Sequence, residues 1–170
     1  MKTNKLWLGM LVMVFGMTVV GCDNGSTEES DTWSNVISFS QVNGTWKGPS
    51  TFTGNVEGIK ATANTSNYRI TFNAAAKTMS LSGTMTTTYS GGNINALWPD
   101  LKAGLEYMNQ MDGITASAND ANHSITVTYN NFSQTLLDDE DLAEVGFQIN
   151  QNRTKLKLSQ DGIEIIYTKQ

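Results

Sequence analysis

Apolar and polar residues alternate along most of the chain from Thr45 onward. Alternation with a period of two is typical of β-strands that bury one face on a core and expose the other to water. The clearest stretches are 68–72, 79–85, 125–129, 155–158 and 163–167. Polar segments between them predict hairpin turns at 73–77, 119–122, 150–152 and 161–162. Because no regular alternation of strands and helices appears, the pattern predicts a mainly β, antiparallel domain with local connections.

A helix interrupts this rhythm in the middle of the chain. Apolar residues recur there every three or four positions, which predicts a helix of about three turns from Trp98 to Asn109, laid on the β structure as a lid or plug. The apolar stripe consists of Ile94, Leu97, Trp98, Leu101, Leu105 and Met108. Pro99 fits the first turn of such a helix, where its missing N–H is tolerated.

A second irregular stretch, 136–145, carries the acidic run from Asp138 to Asp141, followed by Glu144. It predicts either a short helix with acids in its first turn, where the helix dipole favours negative charge, or an acidic loop. Calcium loops place oxygen ligands so that they converge on the ion, and this run lacks their alternating Asp ladder. We therefore interpret the run as a solvated acidic surface and expect no metal there.

The first residues have the layout of a secretory signal peptide. Lys2 and Lys5 form a short basic start, and the stretch from Leu6 to Val20 is apolar and uncharged. A membrane-spanning helix needs about twenty apolar residues, so this shorter run favours a cleaved signal peptide over a permanent span. We expect the signal peptide to cover residues 1–21.

The apolar run ends in Val19-Val20-Gly21-Cys22, which resembles the lipobox of bacterial lipoproteins, with Val19 where the family favours Leu. The resemblance implies that the chain is cleaved before Cys22 and that this cysteine carries acyl chains such as palmitate. It also implies that the protein is anchored to the inner or outer membrane of the cell envelope. Several acyl chains hold a protein stably, whereas one does so only marginally. Cys22 is the only cysteine, so an intramolecular disulfide is impossible.

The expected mature chain is acidic. Without residues 1–21 it has nine basic and sixteen acidic side chains, a net charge of −7. Such a surface repels phosphate backbones, so nucleic acid is excluded as a partner. Residues 22–35 are polar and lack apolar periodicity, which predicts a solvated, lipid-anchored tether. The folded domain is expected at 36–170, beginning near Val36, and Trp33 either docks on it or stays exposed.

The segment Gly44-Thr45-Trp46 resembles the opening of lipocalin-like domains. The resemblance implies one eight-stranded, up-and-down barrel with Trp46 packed at its closed end and a small apolar ligand inside. In that family an arginine near the last strand covers the tryptophan, and here Lys169 is a loose substitute. The mid-chain helix also departs from the family pattern. A β-sandwich remains the alternative fold, and Trp46 could be a plain core residue.

Most catalytic chemistry is missing from the sequence. The single histidine, His123, falls in a predicted turn, and the single cysteine lies in the lipobox. These counts exclude Cys-His catalysis, cysteine-rich zinc sites and multi-histidine metal sites. No Gly-x-Ser-x-Gly motif is present. We expect no enzyme activity, no cofactor, and a solvated His123.

Two functions from different classes remain. In the first, the domain binds a small apolar ligand in a barrel closed by the helix, and small residues along 61–65 and 83–88 leave room for it. The candidate ligand-binding residues are Trp46, Leu97, Trp98, Leu101 and Leu105. In the second, the core is solid and an exposed Thr- and Asn-rich face or the acidic segment meets a surface protein or envelope partner. A filled interior favours the second function.

Overall fold

The computed structural model describes residues 32–56, 58–135, 138–160 and 163–170. Within these ranges the chain forms ten strands and three helices. The strands are β1 Trp33–Asn35, β2 Gly44–Lys47, β3 Thr51–Val56, β4 Ile59–Asn73, β5 Thr78–Ser90, β6 Ile114–Asn119, β7 Ser124–Thr135, β8 Phe147–Asn150, β9 Lys155–Gln160 and β10 Ile163–Lys169. The helices are α1 Phe39–Val42, α2 Ile94–Met108 and α3 Asp139–Glu144.

All ten strands belong to one antiparallel sheet, which confirms the predicted mainly β class. The order is β1-β8-β9-β10-β2-β4-β5-β7-β6, and β3 pairs with β4 beside this path. Within the described ranges β1 and β6 end the order and do not pair with each other, so the sheet is not closed. The predicted turns at 73–77, 119–122 and 150–152 are present, while 161–162 lies outside the described residues.

The sheet curls tightly around a single core. Phe72 in β4 and Phe147 in β8 are four strand steps apart, a separation of about 19 Å on a flat sheet. Their ring centroids are only 5.5 Å apart, in edge-to-face contact. The inner faces of β4 and β8 therefore meet across the core, and α1 adds Phe39 and Val42 to the same cluster.

Two β-bulges bend the sheet across its middle. Between Ser66 and Arg69 the pairing of β4 with β5 shifts by one residue at Asn67, and the pairing of β7 with β5 has a similar shift between Leu81 and Gly83, at Asn131. An extra residue reverses which side chains face inward, so the buried positions of β4 are odd-numbered up to 63 and even-numbered from 68. The bulges keep both halves of these long strands apolar towards the core.

The mid-chain helix begins four residues earlier than predicted, at Ile94, and ends at Met108. Ile94 packs against the core, so burial stabilises the added first turn. Pro99 is consequently the sixth residue of α2, and its expected place in the first turn was wrong. Pro99 cannot donate to the carbonyl of Asn95, but Asn95 is exposed and water can take that position.

The N-terminal part of the chain differs from expectation at residues 33–35, and its first residues lie outside the described ranges. Trp33, in the stretch predicted as tether 22–35, begins strand β1, which pairs with β8. The Nζ of Lys157 lies 4.7 Å from the centroid of the Trp33 ring, so this tryptophan docks on the domain. The tether prediction is therefore corrected at 33–35. The predicted signal peptide and lipobox, including Cys22, lie outside the described residues.

Candidate functional site

The Gly-x-Trp segment builds one end of the core. Gly44 has a φ of +112°, which L-residues rarely adopt, and this lets the chain turn directly from α1 into β2. Trp46 is completely buried, and its indole N–H donates to the carbonyl of Val42 at 2.6 Å. Lys169 of β10 pairs with Trp46 in the sheet, and its Nζ lies 5.3 Å from the Trp46 ring centroid. Both the ring and the polar atom of Trp46 are thus engaged within the fold.

Three aromatic rings that the sequence did not single out cross the middle of the core. Tyr68 in β4 lies 6.1 Å from Tyr129 and 5.9 Å from Tyr167, measured between ring centroids. The hydroxyl oxygens of Tyr68 and Tyr167 are 3.3 Å apart. Burial raises the pKa of all three phenols, so they stay neutral and serve packing rather than acid–base chemistry.

Helix α2 covers the other end of the core. Trp98 and Leu105 are buried, while Leu97 and Leu101 are half-buried and pack against the core. These four candidate ligand residues therefore lie together on one helix, as predicted. Gly92, just before α2, has a φ of +51°. A Cβ added there would lie 2.8 Å from the side chain of Ile59 and 3.2 Å from the backbone of Gly58, so the chain needs glycine at this position.

Two hydrogen bonds to Asp120 attach the exposed side of α2 to the turn between β6 and β7. The indole N–H of Trp98 donates to Asp120 at 2.6 Å, and Lys102 donates to the same carboxylate oxygen at 2.8 Å. The hydrogen bonds from Lys102 and Trp98 lower the pKa of Asp120. The ring of His123 stands edge-on to Trp98 at 5.1 Å. His123 is in a turn, as predicted, but it is half-buried against Trp98, whereas the sequence predicted a solvated residue.

The fifth candidate ligand residue lies far from the other four. Trp46 pairs with Ile70, which in turn pairs with Leu81 of β5. Trp98 contacts Tyr89 with ring centroids 6.3 Å apart, and Tyr89 is eight residues further along β5. Eight residues of strand span about 26 Å. Trp46 and the α2 residues therefore do not form one site.

The sheet wall in the half of the core that α2 covers is made of small or short side chains. Ala61, Ala63, Thr87 and Val127 each have 0% exposure, so in this conformation they present no surface to a ligand. Thr87 Oγ1 is buried and has no hydrogen-bond partner among the described residues. Of the small residues predicted to leave room for a ligand, Ala61, Ala63 and Thr87 face the core and are close-packed, with one unpaired hydroxyl among them. The others in 62–64 and 84–88 that alternate with them face outward.

The acidic run links two helices. Of the two alternatives, a short helix or an acidic loop, the structure shows the helix, and Asp138 caps α3 by accepting from the backbone N–H groups of Glu140 and Asp141. Asp139 accepts from the N–H of Phe39 at 3.0 Å and from Lys77 at 2.8 Å, and these bonds lower its pKa. In the described part of the chain, no group of three or more His, Cys, Asp or Glu side chains could hold a metal ion.

The outer side of five strands carries a surface that we name the hydroxyl face. It consists of thirteen outward side chains of β3, β4, β5, β7 and β6, all on the same side of the bulges and all at least partly exposed, and it is bounded along β4 by the charged, exposed Lys60. The hydroxyl face comprises Thr51, Thr53, Thr62, Asn64, Ser66, Thr84, Thr86, Thr88, Thr115, Ser117, Asn119, Thr126 and Thr128. All thirteen are Thr, Ser or Asn, whereas a typical soluble surface of this size has about four charged residues.

Strand register arranges the hydroxyl face in rows. One row runs through Thr51, Asn64, Thr86, Thr126 and Ser117, each directly opposite the next. Thr86 and Thr126 hydroxyl oxygens are 3.0 Å apart within this row. The pattern was visible in the sequence only as Thr- and Asn-rich strands, because the rows depend on pairings between distant segments.

Comparisons with family models, with curated proteins and with solved structures gave no match for the chain. Within the described ranges, no helix combines the length and apolar character needed to cross a membrane. Functional assignment therefore rests on the geometry of the hydroxyl face and of the region under α2.

Proposed function

We propose that this chain is a lipid-anchored protein of the bacterial cell envelope whose β domain binds an envelope or cell-surface partner through the hydroxyl face. Anchoring is supported by the uncharged run before Val19-Val20-Gly21-Cys22. We further propose that the curled sheet is a diverged lipocalin-like barrel. Gly44, Trp46 and the lysine at Lys169 support this relation, since Lys169 covers Trp46 where the family has an arginine.

The observation that carries the binding role is the absence of charge from the hydroxyl face. Thirteen neighbouring outward positions without a charged side chain, with Lys60 as the charge at their border, are unusual for a solvated surface in a chain with sixteen acidic residues. The interior wall, by contrast, is close-packed, with Ala61, Ala63 and Val127 fully buried. Binding through the outer surface needs no rearrangement of this wall.

Anchoring is tested by replacing the cysteine. Cys22→Ala should abolish incorporation of labelled palmitate and leave uncleaved precursor, because no other thiol is available for acylation. Val19→Leu is the matched control, since it moves the motif closer to the lipobox and should keep labelling at the wild-type level. Labelled, processed Cys22→Ala protein would contradict the anchor.

The binding surface is tested by a charge placed at its centre. Thr86→Lys should lower retention of the soluble mature chain, residues 23–170, on isolated envelopes by at least about tenfold, because a buried unpaired charge is costly at an interface. Ser80→Lys is the control, since Ser80 is an outward residue of the same strand beyond the bulge. Equal retention of the two variants would exclude the hydroxyl face as the contact surface.

A second candidate function is binding of a small apolar ligand between α2 and the sheet, and the unpaired Thr87 hydroxyl favours it. Leaving a buried hydroxyl unpaired costs about 1–3 kcal/mol, which a ligand with a polar group would recover if α2 moved aside. Thr87→Val should then stabilise the unliganded domain by about 1 kcal/mol and weaken ligand binding. Trp98 fluorescence, titrated with fatty acids, isoprenoids and a hydrophobic dye, reports binding. An unchanged signal across that panel excludes this candidate.

A further inference from the structure

We propose that the hydroxyl face binds a neutral polysaccharide chain. This inference rests on the proposed function, because it assigns the chemistry of the partner to the same surface.

Charge is the first reason for this choice. The expected mature chain has a net charge of −7, yet none of that charge lies on the hydroxyl face. Lys60, one step further along β4, is a charged residue at its edge. A nucleic acid or an anionic lipid surface would need a basic cluster here, and a cationic partner would need acids. An uncharged partner that replaces the hydrogen bonds to water can contact this surface without desolvating a charge or leaving one unpaired.

The residue types exclude a typical protein interface. Protein–protein contacts are enriched in aromatic residues, Met and Arg and are depleted in Ser. The hydroxyl face has no residue of the enriched types and consists mostly of Thr and Ser. Peptides that add to sheets also bind along an open edge, through the backbone, rather than across the outer face. A partner rich in hydroxyl groups fits better, since Thr and Ser hydroxyls both donate and accept hydrogen bonds.

The spacing of the rows suits a polymer with a repeating unit. Neighbouring strands place successive hydroxyl groups about 4.8 Å apart, and successive rows are about 7 Å apart along the strands. A row across five strands thus spans about 19 Å, which offers several equivalent contacts to one extended chain. Individually weak contacts at linked sites add up in avidity.

The side chains are also preorganised. Thr is stiff at its first side-chain torsion, and cross-strand hydrogen bonds join Thr84 to Thr128 at 3.2 Å and Thr86 to Thr126 at 3.0 Å. In each pair one hydroxyl donates its proton to the oxygen of the other. The accepting hydroxyl keeps its own proton, and both oxygens keep lone pairs, so each pair can still bond to a ligand. Little side-chain entropy is lost when such a surface binds.

The test compares two Thr pairs with the same local geometry. The double variant Thr86→Val with Thr126→Val removes a hydrogen-bonded pair from the hydroxyl face while it keeps the shape of the side chains. The control, Thr45→Val with Thr71→Val, removes a pair at 3.0 Å on the other side of the bulges. Both variants, and the wild-type chain 23–170, are sedimented with insoluble cellulose, chitin and starch granules at low and high salt.

We expect the wild-type chain to sediment with at least one of these polymers, with less than a twofold change between the two salt concentrations. The face variant should bind about five- to tenfold more weakly, and the control variant should bind like wild type. Matching soluble oligosaccharides should release the protein. Serine at both positions, which restores the hydroxyls, should restore binding.

Three results would overturn the inference: no sedimentation with any of the polymers, equal losses in the two double variants, or a wild-type chain that dimerises in solution through the hydroxyl face and loses its dimer in the face variant. A different pair of results separates the two proposals. If Thr86→Lys abolishes retention on envelopes and the wild-type chain binds none of the polysaccharides, the proposed surface function stands and the polysaccharide is rejected. Unchanged envelope retention of Thr86→Lys would reject both.

Discussion

Replacing Gly83 by alanine tests the bulge that shapes the sheet. Gly83 has a φ of +103°, and a Cβ added there would lie 2.6 Å from the Tyr68 nitrogen and would also clash with the Asn67 carbonyl oxygen. Both are backbone atoms of the bulged strand β4. A flexible side chain could move away, but these atoms are held by the pairing of β4 with β5. The alanine must therefore displace the bulge itself.

The magnitude has two parts. A non-glycine residue in a sparsely populated backbone conformation costs about 1–3 kcal/mol. Forcing an extra carbon into a packed region costs about 1–3 kcal/mol more. Gly83→Ala should thus lower the free energy of unfolding by about 2–6 kcal/mol, a large part of the roughly 5–15 kcal/mol that holds a typical domain together.

Gly44→Ala separates the two parts, because its φ of +112° is similar and a Cβ there has no heavy atom within 4 Å. This control should lose only the conformational part, about 1–3 kcal/mol. Urea unfolding of the chain 23–170, followed by tryptophan fluorescence, measures both variants. A loss for Gly83→Ala no larger than that for Gly44→Ala would refute the claim that the bulge backbone blocks the side chain.

Three further predictions concern stability. Trp46→Ala should lower the free energy of unfolding by about 3–5 kcal/mol, as for other buried tryptophans. Trp33→Ala should lower it by only about 0.5–1 kcal/mol, through the lost contact with Lys157. Equal losses of stability in thermal unfolding would contradict these placements. Because hydrogen bonds from Lys77 and a backbone N–H lower the pKa of Asp139, its contribution to stability is fully present above the ordinary pKa of an aspartate and is lost as the pH falls through the lowered folded pKa. Asp139→Asn should therefore be less stable than wild type near neutral pH, and the two should converge in acid unfolding only once the pH falls below the lowered folded pKa of Asp139. Pro99→Ala should restore a bond to the Asn95 carbonyl and slow hydrogen exchange in α2, and unchanged exchange would contradict that assignment.

Local patterns predicted the elements well where one segment determines them. Strand alternation, the turns after β4, β6 and β8, and the helix that carries Trp98 all follow from neighbouring residues. The first turn of that helix was missed although Ile94 belongs to the apolar stripe, because Pro99 was assigned to the first turn, whereas the helix holds it as its sixth residue. Strand β1 was missed because three residues carry no periodic signal, and only pairing with β8 orders them.

The bulge in β4 left a signal that could have been found. Apolar residues occupy odd positions at Ile59, Ala61 and Ala63, then even positions at Tyr68 and Ile70. A change of phase inside one long alternating stretch indicates an inserted residue, and the Asn at 67 favours the positive φ it adopts. The rows of the hydroxyl face could not be predicted, because register between strands far apart in sequence depends on these bulges.

The topology also keeps the proposed binding surface away from the proposed anchor. In the strand order, β1 is five steps from β4, and the hydroxyl face occupies β4 and the strands beyond it together with β3. The polypeptide that leads from Cys22 therefore enters the sheet among strands with charged outer residues such as Lys157 and Glu164. Charged outer side chains thus mark the β1 end of the strand order, and the uncharged hydroxyl face lies towards its other end.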